Sequence, residues 1–350
     1  MRSLLAATFV LAGLSFAQAA EGVGSRVSTT FVEPAVEAFA ASSSRLGADV
    51  ASLCAAPGEA TLQAARAAFG IVVADWGRAS VLRFGPLAAD NRFERLFFWP
   101  DPRGIALKQV QGLLAEKDSQ AIADGVAGKS AALQGLPALE FALFGAGAEV
   151  LATGDAYRCE FASAIARNIA VLADNIRDGW GRDTPFAKSF ATPAPDGEPY
   201  RTEAEVQGEI VKALSTALQF VRAAELLPPL GEDAKKANGR RAPLWRSRMT
   251  VPLIVAQAAG VLDLLAAAGY EETLPEDSRY IAGSIRFELS NAIRVLGQGE
   301  ADPEGAFSSE PDRGRFVFAE LALHHASELI TRDLAAALGL TMGFNALDGD

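Results

Sequence analysis

Histidine and cysteine are nearly missing from this chain, with two of each in 350 residues: His324, His325, Cys54 and Cys159. That scarcity argues against most thiolate and imidazole metal centres. The chain also has no CxxC, no HExxH, no GxSxG elbow and no phosphate-binding GxxxxGK[ST] loop. Runs of alternating β-branched residues are absent, which excludes a sheet-based fold. Basic residues are in the minority, 32 Lys and Arg against 43 Asp and Glu, for a formal charge of -11. An acidic chain is a poor match for nucleic acid or anionic lipid, and neither is expected as a partner.

The N-terminus has Arg2, an apolar run from Leu4 to Phe16 and an Ala17-Gln18-Ala19 cleavage pattern. These predict a signal peptide over residues 1–20, removed on export to the periplasm, and the run is too short for a comfortable bilayer span. Removing it takes away Arg2 and moves the formal charge from -11 to -12. The mature chain is therefore expected to be periplasmic and not membrane-spanning. In that oxidising compartment the two cysteines predict one disulfide, Cys54–Cys159, the alternative being two buried thiols.

Apolar residues recur at helical spacing almost throughout, so the fold is expected to be all-α. Half of the chain is hydrophobic, enough for two cores. The expected organisation is an N-terminal helical bundle over 21–180, a proline-rich linker over 181–200 and a C-terminal bundle over 201–350. The first long helix carries Phe31 to Leu53 with a distortion at Pro34, and Pro57 opens the second. Thr202 and Glu205 predict a capping box, and four helices follow at about 203–226, 243–268, 276–297 and 312–338.

Several residue groups invite a chemical reading. Gly145-Ala146-Gly147 resembles part of a dinucleotide fingerprint, but without a preceding strand it is a turn. Adjacent His324 and His325 point about 100° apart on a helix and do not share an ion. His325 with Glu328, and Glu320 with His324, have helical spacing for a carboxylate–imidazole site, against a core role for His325. The 229–243 stretch, with Lys235, Lys236, Arg240 and Arg241, reads as a solvated loop before it reads as an anion site. Arginines and aromatic residues are dense between Trp76 and Arg103. Core packing accounts for most of them, and a polar pocket built on Arg83 and Trp99 is the alternative.

Trp76-Gly77-Arg78, Leu82-Arg83-Phe84-Gly85-Pro86-Leu87, Phe98-Trp99-Pro100-Asp101 and Gln134-Gly135-Leu136-Pro137-Ala138-Leu139-Glu140 resemble the imelysin-like family. So do Arg158-Cys159, Leu244-Trp245-Arg246-Ser247, Phe287-Glu288-Leu289-Ser290-Asn291-Ala292 and the terminal Gly343-Phe344-Asn345-Ala346-Leu347-Asp348-Gly349-Asp350. The resemblance implies two antiparallel four-helix-bundle-like domains with a site at their interface, in envelope proteins linked to iron uptake and once classed as metallopeptidases. The family motif GxHxxE falls on Gly135, Pro137 and Glu140, so proline stands where the resemblance implies a metal-binding histidine. This chain resembles a subgroup lacking that histidine.

The expected ligand-binding set is Trp76, Arg83, Trp99, Gly135, Pro137, Glu140, Arg246, Ser247 and Asn291, with no catalytic residue. Glu140, His325 and Glu328 are the metal candidates, for iron or another divalent metal. The expected function is a non-catalytic binding protein serving uptake of iron or an iron-bearing ligand, with an outer-membrane transport partner. A metal-dependent peptidase and an envelope interaction scaffold are the alternatives. A peptidase needs a second carboxylate or His325 beside Glu140 to replace the histidine.

Overall fold

The computed structural model describes residues 22–299 and 303–340. The signal-peptide and terminal-motif readings fall outside them. Among the described residues there is no strand. The longer helices are α1 (residues 23–55), α2 (Glu59–Ala79), α3 (Ile105–Glu116), α4 (Leu136–Phe144), α5 (Ala156–Gly179), α6 (Pro185–Ala191), α7 (residues 203–226), α8 (Thr250–Ala268), α9 (Tyr280–Leu296) and α10 (residues 312–337).

Two rings of helices result. In the first half α1 packs on α2 and α5, and α4 closes the ring by touching both α2 and α5. In the second, α7, α8, α9 and α10 pack in sequence with α10 returning to α7. The rings meet where α2 lies along α8, and one hydrophobic cluster runs through both. Close approach there depends on glycine. A Cβ at Gly77 would lie 2.6 Å from the Ala256 Cβ, and one at Gly260 would lie 3.0 Å from the Arg78 backbone. Helix α8 is apolar on most sides because it serves both rings. The segment Thr250–Thr273 passes the length and hydropathy test for a membrane span, as the core helix of a globular fold also does.

Proline shapes the irregular turns. Pro34 removes an amide and its ring crowds the carbonyl four residues back, and α1 widens into a π turn over Ser28–Val32. A second π turn, Val221–Leu226, ends α7 just before Pro228 and Pro229. These two prolines supply neither the amide that would pair with the Ala224 carbonyl in an α turn nor the one that would do so in a π turn.

Three sequence expectations change. Pro57 precedes α2, which starts after Gly58, and the helix expected at 243 begins only at Thr250. The delay arises because Leu244 and Arg248 adopt left-handed φ values of 51° and 59°, which a helix cannot contain. The 181–200 stretch forms α6, with Thr184 capping it and Pro185 in its first turn. Phe190 and Tyr200 from this stretch pack with Trp180 and Phe84 in an aromatic knot rather than crossing open solvent.

The Thr202–Glu205 capping box is present. Cys54 at the end of α1 is bonded to Cys159 in α5, with Cα atoms 5.6 Å apart and a sequence separation of 105. Closing a loop of that length restricts the unfolded chain. The Cys54→Ser, Cys159→Ser double variant is expected to lose about 2–5 kcal/mol in urea denaturation. An unchanged midpoint would show that packing alone fixes the α1–α5 contact.

Candidate functional site

Glu140 is the centre of the site, and several devices hold its helix. Gly135 precedes α4 because a Cβ there would lie 2.1 Å from the Leu96 carbonyl oxygen. Pro137 occupies the first turn of α4, where a missing amide costs no hydrogen bond. At the other end, the Arg158 guanidinium donates to the carbonyls of Ala142 at 2.8 Å, Phe141 at 2.9 Å and Ala146 at 3.0 Å. This satisfies carbonyls that a helix C-terminus leaves open and places positive charge where the helix dipole favours it.

Glu140 is 2 % exposed. Its partners come from the second half of the chain. The Ser247 amide and hydroxyl both donate to its Oε1 at 2.9 Å, and Arg246 Nη1 lies 3.8 Å from Oε2. Burial pushes the Glu140 carboxyl above the usual carboxylate range, while the Ser247 amide and the Arg246 charge pull it down. The Ser247 hydroxyl also lies 3.0 Å from the Leu244 carbonyl. It has one proton, so a protonated Glu140 can donate to Ser247 while Ser247 donates to Leu244.

The turn that presents Trp245, Arg246 and Ser247 is bounded by the left-handed Leu244 and Arg248. Each costs about 1–3 kcal/mol of strain, so the turn is held by its surroundings. Thr250 Oγ1 donates to the Pro243 carbonyl at 2.6 Å and the Met249 amide to the Leu244 carbonyl at 3.0 Å.

A cavity of about 400 Å³ opens beside Glu140 between the two halves. Phe98, Trp99 and Pro100 form one wall, Pro137, Glu140 and Phe141 the floor, and Ala223, Ala224, Arg240 to Ala242 and Leu244 to Arg246 the other wall. The Trp99 indole donates at 2.8 Å to the Ala224 carbonyl, the acceptor left open by Pro228 and Pro229. Arg246 lies over the rings of Trp245 at 4.6 Å and Phe141 at 5.2 Å. Asp101 also lines the cavity, but its carboxylate accepts from the amides of Ile105 and Ala106 at 2.8 Å. It caps α3.

Of the expected binding residues, Trp99, Pro137, Glu140 and Arg246 line the cavity and Ser247 supports Glu140. Gly135 acts from beneath. Trp76 is fully buried among Phe39, Phe93 and Phe97. Asn291 lies on α9 and accepts from Arg294. The metal candidates are not brought together. His325 Nδ1 faces Glu288 at 3.8 Å, and Glu328 faces His324 at 4.0 Å and Arg332 at 3.4 Å, all on α9 and α10. Glu320 is held by Arg222. Among the described residues no group of three or more His, Cys, Asp or Glu side chains is placed to hold a metal ion.

Arg83 belongs to a separate buried cluster that the sequence reading missed. Its guanidinium lies 3.7 Å over Phe93 and 4.4 Å over Phe220, and burial lowers its pKa to about 10. Nearby Glu225, in the π turn of α7, is fully buried and accepts from Gln257 at 3.1 Å. Burial raises its pKa from 4.5 to about 8, against the pull of Gln257 and Arg83. The only signal for Glu225 was an acid inside the apolar run 223–230.

The imelysin family model matches residues 32–330. The chain belongs to the imelysin family. An imelysin-like protein from Psychrobacter arcticum 273-4 shares the fold at a TM-score of 0.72 and 20% identity, over 92% of this chain and 96% of that one. A Parabacteroides distasonis ATCC 8503 protein described as a "putative iron-regulated protein A precursor" matches at a TM-score of 0.70 and 14% identity, over 90% and 96% of the two chains. No curated protein matches significantly. Within this imelysin, Pro137 and Glu140 both face the cavity, so the proline occupies a cavity-facing position without offering a ligand atom.

Because the folded pKa of Glu225 lies above its unfolded value, the folded state holds a proton that the unfolded state releases between pH 4.5 and about 8. Stability from this group is full below pH 4.5 and is lost as pH rises to about 8. Glu225→Gln should therefore match wild type near pH 5 and exceed it near pH 9, by an amount on the order of a few kcal/mol. Parallel urea-denaturation profiles for the two proteins across that range would assign the titration to another group.

Proposed function

We propose that this imelysin is an exported, non-catalytic binding protein of the periplasm that serves iron acquisition through the cavity between its two halves. The observation that carries the reading is the state of Glu140: buried, committed to Ser247 and Arg246, and not part of any group of three or more His, Cys, Asp or Glu side chains placed to hold a metal among the described residues. A hydrolytic metal needs about three protein ligands and an open position for water. Glu140 beside Pro137 supplies one carboxylate, already paired with a guanidinium. A cavity of about 400 Å³ instead suits a small ligand. The iron link is supported by the name of the Parabacteroides relative and is brought to this chain as a proposal.

Export follows from the N-terminal pattern, and an outer-membrane transport partner is the proposed source of the ligand. The docking surface on which such a partner would act finds support in Tyr280 and Phe287 on α9 and Val317, Phe318 and Leu321 on α10, all large and exposed.

The test is genetic and biochemical. A deletion strain should grow poorly under iron limitation and recover with wild type, whose periplasmic product lacks about 20 residues. A Glu140→Ala, Arg246→Ala variant that accumulates to the same level should not restore growth. Full complementation by that variant, or zinc-dependent peptide hydrolysis by the purified protein, would overturn the reading.

A further inference from the structure

The stretch 229–243 reads in sequence as a solvated charged loop, yet it delivers two arginines to the cavity. Arg240 and Arg241 line it together with Arg246. Arg240 is shared between Glu304, on the outside, and the Trp245 ring, whose centroid is 5.4 Å from the guanidinium carbon. Arg241 is exposed and has no ion-pair partner among the described residues. Lys236 stays outside, paired with Glu232. A chain of formal charge -11 thus concentrates three guanidiniums around one small cavity.

The two carboxylates that also line the cavity do not cancel them. Asp101 is consumed by the amides that begin α3, and Glu140 is buried against Ser247. What faces a ligand is a set of forked cationic donors interleaved with the rings of Phe98, Trp99, Phe141 and Trp245. Guanidinium pairs with carboxylate through two parallel hydrogen bonds, and aromatic faces cover a ligand's apolar parts. A bare ferrous or ferric ion meets the opposite: three like charges and two carboxylates that are already occupied.

We propose that the cavity takes iron as a preformed, carboxylate-bearing anionic ferric chelate, with Arg240 and Arg241 receiving its carboxylates at the mouth and Arg246 binding it inside. This deepens the iron-acquisition reading and rests on it. The volume of about 400 Å³ lies near the lower end of ligand pockets, roughly 300–1,000 Å³, which selects a compact chelate over a large one. The chelate is bound whole, so no bond is made or broken. Binding removes charge from solvent and weakens as salt rises.

The probe is ferric citrate, titrated calorimetrically into the mature protein with tryptophan fluorescence as a second readout. Metal-free citrate, ferrous ion and zinc ion are run in parallel. Ferric citrate is expected to bind and perturb tryptophan emission. Its affinity should fall at least tenfold in Arg241→Ala and further in Arg240→Ala, Arg241→Ala, with ferrous and zinc ions failing to compete. Arg241 is exposed, so its loss leaves the fold intact, which an unchanged melting temperature verifies. If free ferrous or zinc ion binds instead, is lost in Glu140→Gln and is indifferent to both arginine variants, the chelate proposal falls and the cavity reading stands. If no probe binds wild type, or binding is the same in Arg246→Ala and both other variants, the cavity reading falls with it.

Discussion

A buried carboxylate held from across the molecule is the constraint on which the site depends. Glu140 belongs to the first ring of helices, and the amide and hydroxyl that satisfy it belong to a turn of the second. An unpaired carboxylate at that depth would be costly, so the Ser247 turn and α4 are fixed relative to each other by what either would lose alone. The rest of the junction serves this pairing. Arg158 closes the end of α4, Gly135 lets its start approach Leu96, and Trp99 takes up the Ala224 carbonyl that two prolines leave open.

The same economy explains where irregular backbone occurs. The π turn of α7 places Ala223 and Ala224 in the cavity wall, with Glu225 behind them, while left-handed Leu244 and Arg248 bracket the turn whose Arg246 and Ser247 meet Glu140. Regular helix would point these groups elsewhere. Two of the five left-handed non-glycine residues described and one of the three π turns thus lie in or beside the cavity wall, and close-packed α2 and α8 hold the two halves together around it.

Much of this was legible in the sequence because helices announce themselves locally. The 3.6-residue apolar repeat, the Thr202–Glu205 box and the glycine–proline breaks each act over a few residues, and the two cysteines had only each other to pair with. The Gly135, Pro137 and Glu140 spacing also identified the floor of the cavity. What could not be read depends on contacts between distant segments. Trp76 and Trp99 look alike in sequence, yet one fills the core and the other bridges the halves. Glu225 is a single acid whose burial follows from how α7 meets α8. The basic loop is exposed, as it read, but nothing local indicated that Arg240 and Arg241 would also line a cavity.

A double-mutant cycle on unfolding free energy, using Glu140→Gln and Ser247→Ala, tests the central pairing most directly, since Ser247→Ala removes the hydroxyl and keeps the amide. The account predicts that the two changes are not additive, with a coupling of about 0.5–3 kcal/mol between residues 107 positions apart in the chain. Additive losses would mean that the Ser247 hydroxyl does not bind Glu140 and would contradict the pairing.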